Sequence, residues 1–258
     1  MKIATFNVNS VRARVEILSR WLERVQLDAL CLQETKVPDE LFPHDFFEQF
    51  GYRCQVHGQK GFNGVAICLR REPEATRKGL EDGDESERRV LSVRTAGLWI
   101  VNVYAPHGEL PGNPKHDEKL AFFRRFRKFL EQNFDPHDPL VVVGDMNVAR
   151  TDLDVWDPEA LEGTIGVLPD EREAFEHVLD WGLEDCYRKL NPDGKAFTWW
   201  DYRTAGIWRD EGMRIDYVLG TAPVAQRCKS VEVDLWPRRR RTPKPSDHAP
   251  VIAELDWL

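Results

Sequence analysis

Short, strongly apolar runs recur along the whole chain, and each stops at polar or acidic residues. They span Lys2 to Val8, Ala29 to Gln33, Val65 to Leu69, Leu98 to Tyr104, Pro139 to Gly144, Arg214 to Leu219 and Pro250 to Leu255. Runs of this length read as buried strands, because continuous apolarity needs cover on both faces. Helical patterns are interleaved with them. Leu18, Trp21, Leu22 and Val25 fall at i, i+3, i+4 and i+7, one face of a helix. Phe122, Phe126, Phe129 and Leu130 repeat that stripe, with Arg124, Arg125, Arg127 and Lys128 on the other faces. Glu171 to Leu179 reads as a third helix, started by Pro169 and Asp170. No Gly/Ser-rich linker and no fixed-period repeat interrupts this alternation, so it predicts one α/β domain over residues 1–258, with Glu81 to Glu87 as an exposed acidic loop.

A content of 41% hydrophobic residues in 258 supports a large core and excludes a disordered chain. The net charge of -8 speaks against a nucleic-acid partner as a single number, but distribution matters more than the sum. Acidic side chains gathered round a divalent cation would be neutralised by it, leaving basic residues elsewhere free for phosphates. Arg238 to Arg241, with Lys244, is the strongest basic cluster, and reads equally as a solvated loop. The five cysteines are widely spaced without a C-x-x-C pair, which suggests neither a disulfide framework nor a zinc site; Cys31 and Cys68 read as small core residues. The N-terminus lacks the apolar stretch of a signal peptide and no run is long enough to span a membrane, so a reduced, cytoplasmic setting, no membrane partner and a monomer are expected.

Four polar clusters stand at strand ends. In the first, Asn7 and Asn9 follow one run, and Glu34 in L-Q-E-T-K follows the next. A carboxylate there is costly to bury unless a hard cation or another partner offsets its desolvation, although a lone Glu after a strand is ordinarily exposed. In the second, V-V-V-G-D-M-N places Asp145 and Asn147 two apart, on one face if extended geometry continues. Such a pair can activate water and steady a phosphate oxygen, or simply form a turn. The third ends in Asp216 of G-M-R-I-D, which pairs with Arg214 or another cation. The fourth is P-S-D-H-A-P-V, where Asp247 and His248, being adjacent, point oppositely; Asp216 is the expected partner of His248. An imidazolium so paired would have a raised pKa and could stabilise an anionic transition state. Tyr104 could donate its phenolic proton to a phosphate oxygen, or be a buried aromatic.

In this order N-V-N-S, L-Q-E-T-K, H-G-Q-K-G-F-N-G-V-A, V-N-V-Y-A-P, G-D-M-N, T-D-L-D, W-W-D-Y-R, M-R-I-D and S-D-H-A-P-V, the chain resembles the exonuclease III and AP (apurinic/apyrimidinic) endonuclease family, within the endonuclease/exonuclease/phosphatase group, over essentially its full length. The resemblance implies a four-layered αββα sandwich of two facing mixed sheets, with the site at the strand ends. It implies Mg²⁺, or Mn²⁺, held by Glu34 with Asn7, and with Asp145, Asn147 and Asp247 also named in the metal shell. It implies that Asp145 deprotonates water, that Asn147 holds water or a phosphate oxygen, that Tyr104 and His248 contact the scissile phosphate, and that Asp216 supports His248.

The implied substrate is double-stranded DNA with abasic sites or 3′ ends. An abasic nucleotide has no base to unstack, so extruding it costs less than extruding a normal one. Trp199, Met213 and Ile215 match positions that wall the pocket in such proteins, with Trp200 beside them; Asn9, His107 and Arg203 complete the expected substrate contacts. His107 replaces a commoner amide side chain, and the loop Trp156 to Leu168 follows neither main relative. Gly166 in that loop adds no bulk against a sugar, which favours abasic-site incision over a 3′-end exonuclease/phosphatase. A lipid or inositol phosphate hydrolase of the same fold is disfavoured by W-W-D-Y-R and the basic run. A non-catalytic DNA-binding module is disfavoured because Glu34, Tyr104, Asp145, Asn147, Asp216 and His248 all remain.

Overall fold

The computed structural model describes residues 1–82 and 86–257. Residues 83–85 of the expected acidic loop lie outside the described residues. Among the described residues, twelve strands form two six-stranded sheets. The first contains β1 (Lys2–Asn7), β2 (Ala29–Gln33), β3 (Arg53–His57), β4 (Val65–Leu69), β11 (Cys228–Val233) and β12 (Val251–Leu255), in the order β11-β12-β1-β2-β4-β3. The second contains β5 (Ala75–Lys78), β6 (Val90–Thr95), β7 (Leu98–Tyr104), β8 (Leu140–Asp145), β9 (Leu183–Asp185) and β10 (Asp216–Thr221), in the order β5-β6-β7-β8-β10-β9. Both sheets are mixed: β1 and β2 pair in parallel, as do β7 and β8, and the remaining pairs are antiparallel.

The alternation of strand side chains sorts the core into layers. Ile3, Ala29, Cys31, Val65, Ile100, Val141, Val143 and Val218 meet between the sheets. Ala4, Phe6, Leu30 and Leu32 point outward beneath α1 (Val11–Leu22), whose Leu18, Trp21 and Leu22 cover them. Val101, Val103, Val142 and Tyr217 point the other way, beneath α2 (Pro114–Asn133) and α3 (Pro169–Leu179). The result is the expected αββα order.

That same parity positions the polar residues. Asn7, Gln33, Asn102, Tyr104, Asp145 and Asp216 continue the inward-facing rows, so a cleft between apolar sheets becomes polar at one end. Register aligns them: Tyr104 lies opposite Asp145, and Asp145 opposite Asp216, on three adjacent strands. Deeper in, the Gln33 amide donates to Thr5 Oγ1 at 2.8 Å and to Asn102 Oδ1 at 2.6 Å, joining the sheets. Asn102 Nδ2 in turn donates to the carbonyls of Leu32 and Ala66, both at 2.9 Å. Gly144 permits the close passage of β8 along β7, since a Cβ there would fall on the Val103 carbonyl.

Three expectations are corrected. Cys54 and Cys68 form a disulfide, because the β3–β4 register sets them opposite each other, a pairing that spacing along the chain does not reveal. Extended geometry does not continue past Asp145, since Asn147 is left-handed at φ 53°. The run at Arg214 enters the sheet only at Asp216, because Arg214 turns aside to pair with Asp154 and Asp185.

Candidate active site

Positive φ at Asn9, Glu34, Lys36 and Asn147 bends the chain sharply where β1, β2 and β8 end. These turns aim side chains back across the mouth of the cleft. Asn7 Nδ2 donates to Glu34 Oε1 and to Asp145 Oδ2, both at 2.9 Å, bridging the two sheets. Lys36 pairs with Glu34 Oε2 at 2.8 Å and donates to Asn9 Oδ1 at 2.6 Å. Asn9 Nδ2 reaches Asp247 Oδ1 at 3.0 Å, and Trp199 Nε1 holds the other Asp247 oxygen at 3.1 Å. Ser246 Oγ donates to the Asn7 carbonyl, tying the segment before β12 to the end of β1.

On the other side, His248 Nδ1 lies 2.9 Å from Asp216 Oδ2, and its Nε2 lies 3.7 Å from Asp145 Oδ2. Burial alone would lower the His248 pKa, but Asp216 and Asp145, with Asp247, raise it to about 10. At neutral pH the ring is therefore an imidazolium with two N–H donors. Burial raises the Asp145 carboxyl well above the ordinary range; His248 partly offsets this and Asp216 adds to it. Such a carboxylate is basic enough to take a proton from water. Burial, then Glu34 and Asp145, raise the Tyr104 phenol, which keeps it an O–H donor.

Glu34, Asp145 and His248 each offer an atom within 4.8 Å of the others. A protonated imidazole has no lone pair for a cation, so the ligand set reduces to oxygen: Glu34, Asp145 and the Asn7 amide oxygen after rotation of that group. Hard oxygen donors suit Mg²⁺ or Mn²⁺. The buried Asp216 Oδ1 has no hydrogen-bond partner among the described residues, a further mark of a site that takes a cation or water. The residues fit a hard divalent ion. Asp247 is linked to this cluster through Asn9 and Lys36, and Asn147 is engaged elsewhere. Its amide donates to the Ala105 carbonyl at 2.9 Å, its Oδ1 lies 3.3 Å from the exposed His107 ring, and its N–H donates to Asp145 Oδ1.

Beside the cluster, Met213, Ile215, Val155, Val167 and Ala149 form a small apolar wall against which Trp199 packs. Isolated bridges link Trp199 to both Met213 and His248, so this wall abuts the polar centre. Gly166 (φ +89°) closes it; a Cβ there would lie 3.1 Å from Met213 Cε and 3.3 Å from the Asn147 carbonyl. Trp200 is a correction: it points opposite to Trp199 and is buried with Phe197, Ile207 and Ala249, out of reach of a ligand. Arg203 is exposed and paired with Asp201. Of the basic run, Arg238 is buried, donating to the carbonyls of Asp247 and Trp200, while Arg239, Arg240 and Arg241 are exposed.

Sequence reasoning passed over Lys36, Ser246, Lys119 and Glu171. Lys119 left a signal: it occupies a core position of the stripe that continues through Phe122, Phe123 and Phe126, where lysine is rarely buried unpaired.

A family model described as "Endonuclease/Exonuclease/phosphatase family" matches residues 4–248. Exodeoxyribonuclease III of Haemophilus influenzae is 38% identical over 268 aligned residues, covering 99% of this chain and 100% of that protein. Among solved structures, an AP endonuclease from Archaeoglobus fulgidus superposes with a TM-score of 0.95 at 39% identity, covering 99% of each chain. The 3′ phosphatase NExo from Neisseria, bound to a product DNA hairpin, superposes with a TM-score of 0.94 at 38% identity over 100% of each chain.

Proposed function

The chain belongs to the endonuclease/exonuclease/phosphatase family, in the branch of exonuclease III and the AP endonucleases, and from that premise we propose a Mg²⁺-dependent DNA-repair phosphodiesterase. Its substrates are abasic sites in duplex DNA, cut on the 5′ side, and 3′ ends, trimmed by exonuclease and phosphatase or phosphodiesterase action. The observation that carries this reading is the convergence of Asp145, Tyr104 and the Asp216–His248 pair on one level of the cleft mouth, with Glu34 and Asn7 facing them from the other sheet.

The chemistry follows from the protonation states. Asp145 takes a proton from the attacking water, help worth about 10²–10⁴-fold. His248 Nε2–H and the Tyr104 hydroxyl donate to the phosphate oxygens as charge builds there, each worth about 10²–10³-fold. Asp216 orients the imidazolium through Nδ1. Glu34, Asp145 and Asn7 would hold the divalent ion, which supplies charge neutralisation at the phosphate and the departing 3′-oxygen. No side chain needs to bond covalently to phosphorus.

The choice between lesion incision and end cleaning rests on the wall at Gly166. The missing side chain at Gly166 lets Met213 pack close against the turn, so the wall beside Trp199 that a flipped deoxyribose would meet is flush, which favours abasic-site incision. The test is a duplex with one internal abasic analogue, incubated with Mg²⁺ or with EDTA beside a recessed undamaged duplex and a 3′-phosphate. Mg²⁺-dependent cutting 5′ to the lesion supports the full reading. Cleaning of 3′ ends with the lesion left intact would retain the nuclease and discard the incision.

A further inference from the structure

Lys119 on α2 and Glu171 on α3 are both completely buried and pair at 2.7 Å, away from any surface a substrate can touch. The remaining hydrogens of the ammonium go to the carbonyls of Asn147 at 2.8 Å and His107 at 3.1 Å. The second oxygen of Glu171 accepts the Gly166 N–H at 2.6 Å. The loop bearing His107 also sits on the lysine stem, since a Cβ at Gly108 would lie 2.7 Å from Lys119 Cδ. One ion pair thus grips the turn after β8, the loop after β7 and the loop that carries Gly166.

A buried pair of this kind adds little net stability compared with apolar residues of the same volume, so packing alone does not explain it. What an apolar pair cannot supply is three directed donors and a second acceptor. We propose that Lys119 and Glu171 are positioning residues for the reaction: through the Asn147 carbonyl they hold the left-handed turn that aims Asp145 and Asn147, and through Gly166 N–H they lock the sugar-pocket wall to that turn. Neighbouring residues of the turn have restraints of their own, Met146 N–H on the Ile215 carbonyl, the Tyr217 hydroxyl on the Val148 carbonyl and Arg172 on the Ala149 carbonyl, whereas the carbonyl of the left-handed Asn147 itself is held by Lys119. This rests on the proposed phosphodiesterase reading only for its kinetic consequence.

The discriminating variant is Lys119→Met with Glu171→Gln, which removes both charges but leaves the carbonyls of Asn147 and His107 ungripped. Lys119→Met alone should lower the thermal midpoint, and the double variant should regain most of that loss. Its kcat should nonetheless stay about 10- to 100-fold down, with KM within about threefold, because slight misplacement of catalytic groups is costly. A double variant that recovers kcat along with stability would make the pair merely structural and overturn the proposal. Amide hydrogen exchange needs no activity. Residues 145–150 and 163–168 should exchange about tenfold faster in the double variant than in wild type. Unchanged exchange there overturns the proposal even if the substrate reading has failed on wild-type protein.

Discussion

Replacing Asp216 by asparagine tests whether the carboxylate keeps His248 charged. The two groups are 2.9 Å apart and buried. At an effective dielectric of about 20, that separation corresponds to about 6 kcal/mol, or about four pH units of imidazole basicity. A His248 pKa of about 10 would then fall to about 6. The amide oxygen of the Asp216→Asn variant can still accept from Nδ1–H, so ring orientation survives and the charge is the main loss. At pH 8 only about 1 ring in 100 would be charged, and at pH 6 about half. The variant-to-wild-type ratio of kcat should therefore be about 10⁻² at pH 8 and rise to within a few-fold of unity at pH 6. Because Asp216 raises and His248 lowers the Asp145 pKa, its titration shifts in the variant and is followed alongside. A raised histidine pKa also favours the fold fully below the unfolded value near 6.5 and loses that contribution as pH climbs through about 10. Stability of wild type should thus decline between those limits more than that of the variant. Saturating single-turnover rates from pH 6 to 9, with histidine resonances followed by NMR, give both readouts. A kcat ratio that is flat with pH would refute the charge argument and leave Asp216 as a steric prop.

Other outcomes follow from named contacts. Asn102→Ala removes three buried hydrogen bonds between the sheets and should cost about 3 kcal/mol in urea unfolding; a loss under about 1 kcal/mol would mean that water replaces the clamp. Glu34→Gln should abolish the rise in thermal midpoint that millimolar Mg²⁺ gives wild type and EDTA reverses, whereas an undiminished rise would place the ion elsewhere. Burial, aided by Arg88 and Lys78, lowers the His57 pKa to about 4. Its contribution is intact above pH 6.5 and drains away as pH falls toward 4, so His57→Gln should flatten the acid limb of the stability curve. An acid limb identical to wild type would assign the loss to other groups.

Much of this was legible in the sequence because strand ends announce themselves by an abrupt change from apolar to polar. The Asp216–His248 contact was reachable by elimination, since adjacent Asp247 must point away from His248. Register was not legible: nothing local says that Tyr104, Asp145 and Asp216 stand level, or that Cys54 meets Cys68. Trp199 and Trp200 carry equal chemistry, and only the bridge from Trp199 to Met213 decides which one faces the site. The turn at Asn147 defeats a period-two reading, because a left-handed residue resets the alternation. Lys119 and Glu171 lie 52 residues apart on separate helices, so their meeting depends on how both dock on the outer face of one sheet.

The cleft residues come from opposite halves of the sandwich: Asn7 at the end of β1, Glu34 just after β2 and His248 just before β12 on one side, Tyr104, Asp145 and Asp216 from the other sheet. The distances across the cleft are therefore the jaw opening of a calliper whose body is the apolar layer between Ile3, Cys31, Ile67, Val141 and Val218. Trimming or enlarging any of those side chains changes the opening, far from the chemistry and without touching a functional group. The thickness of the core is thus expected to set the spacing of the site as well as the stability of the fold.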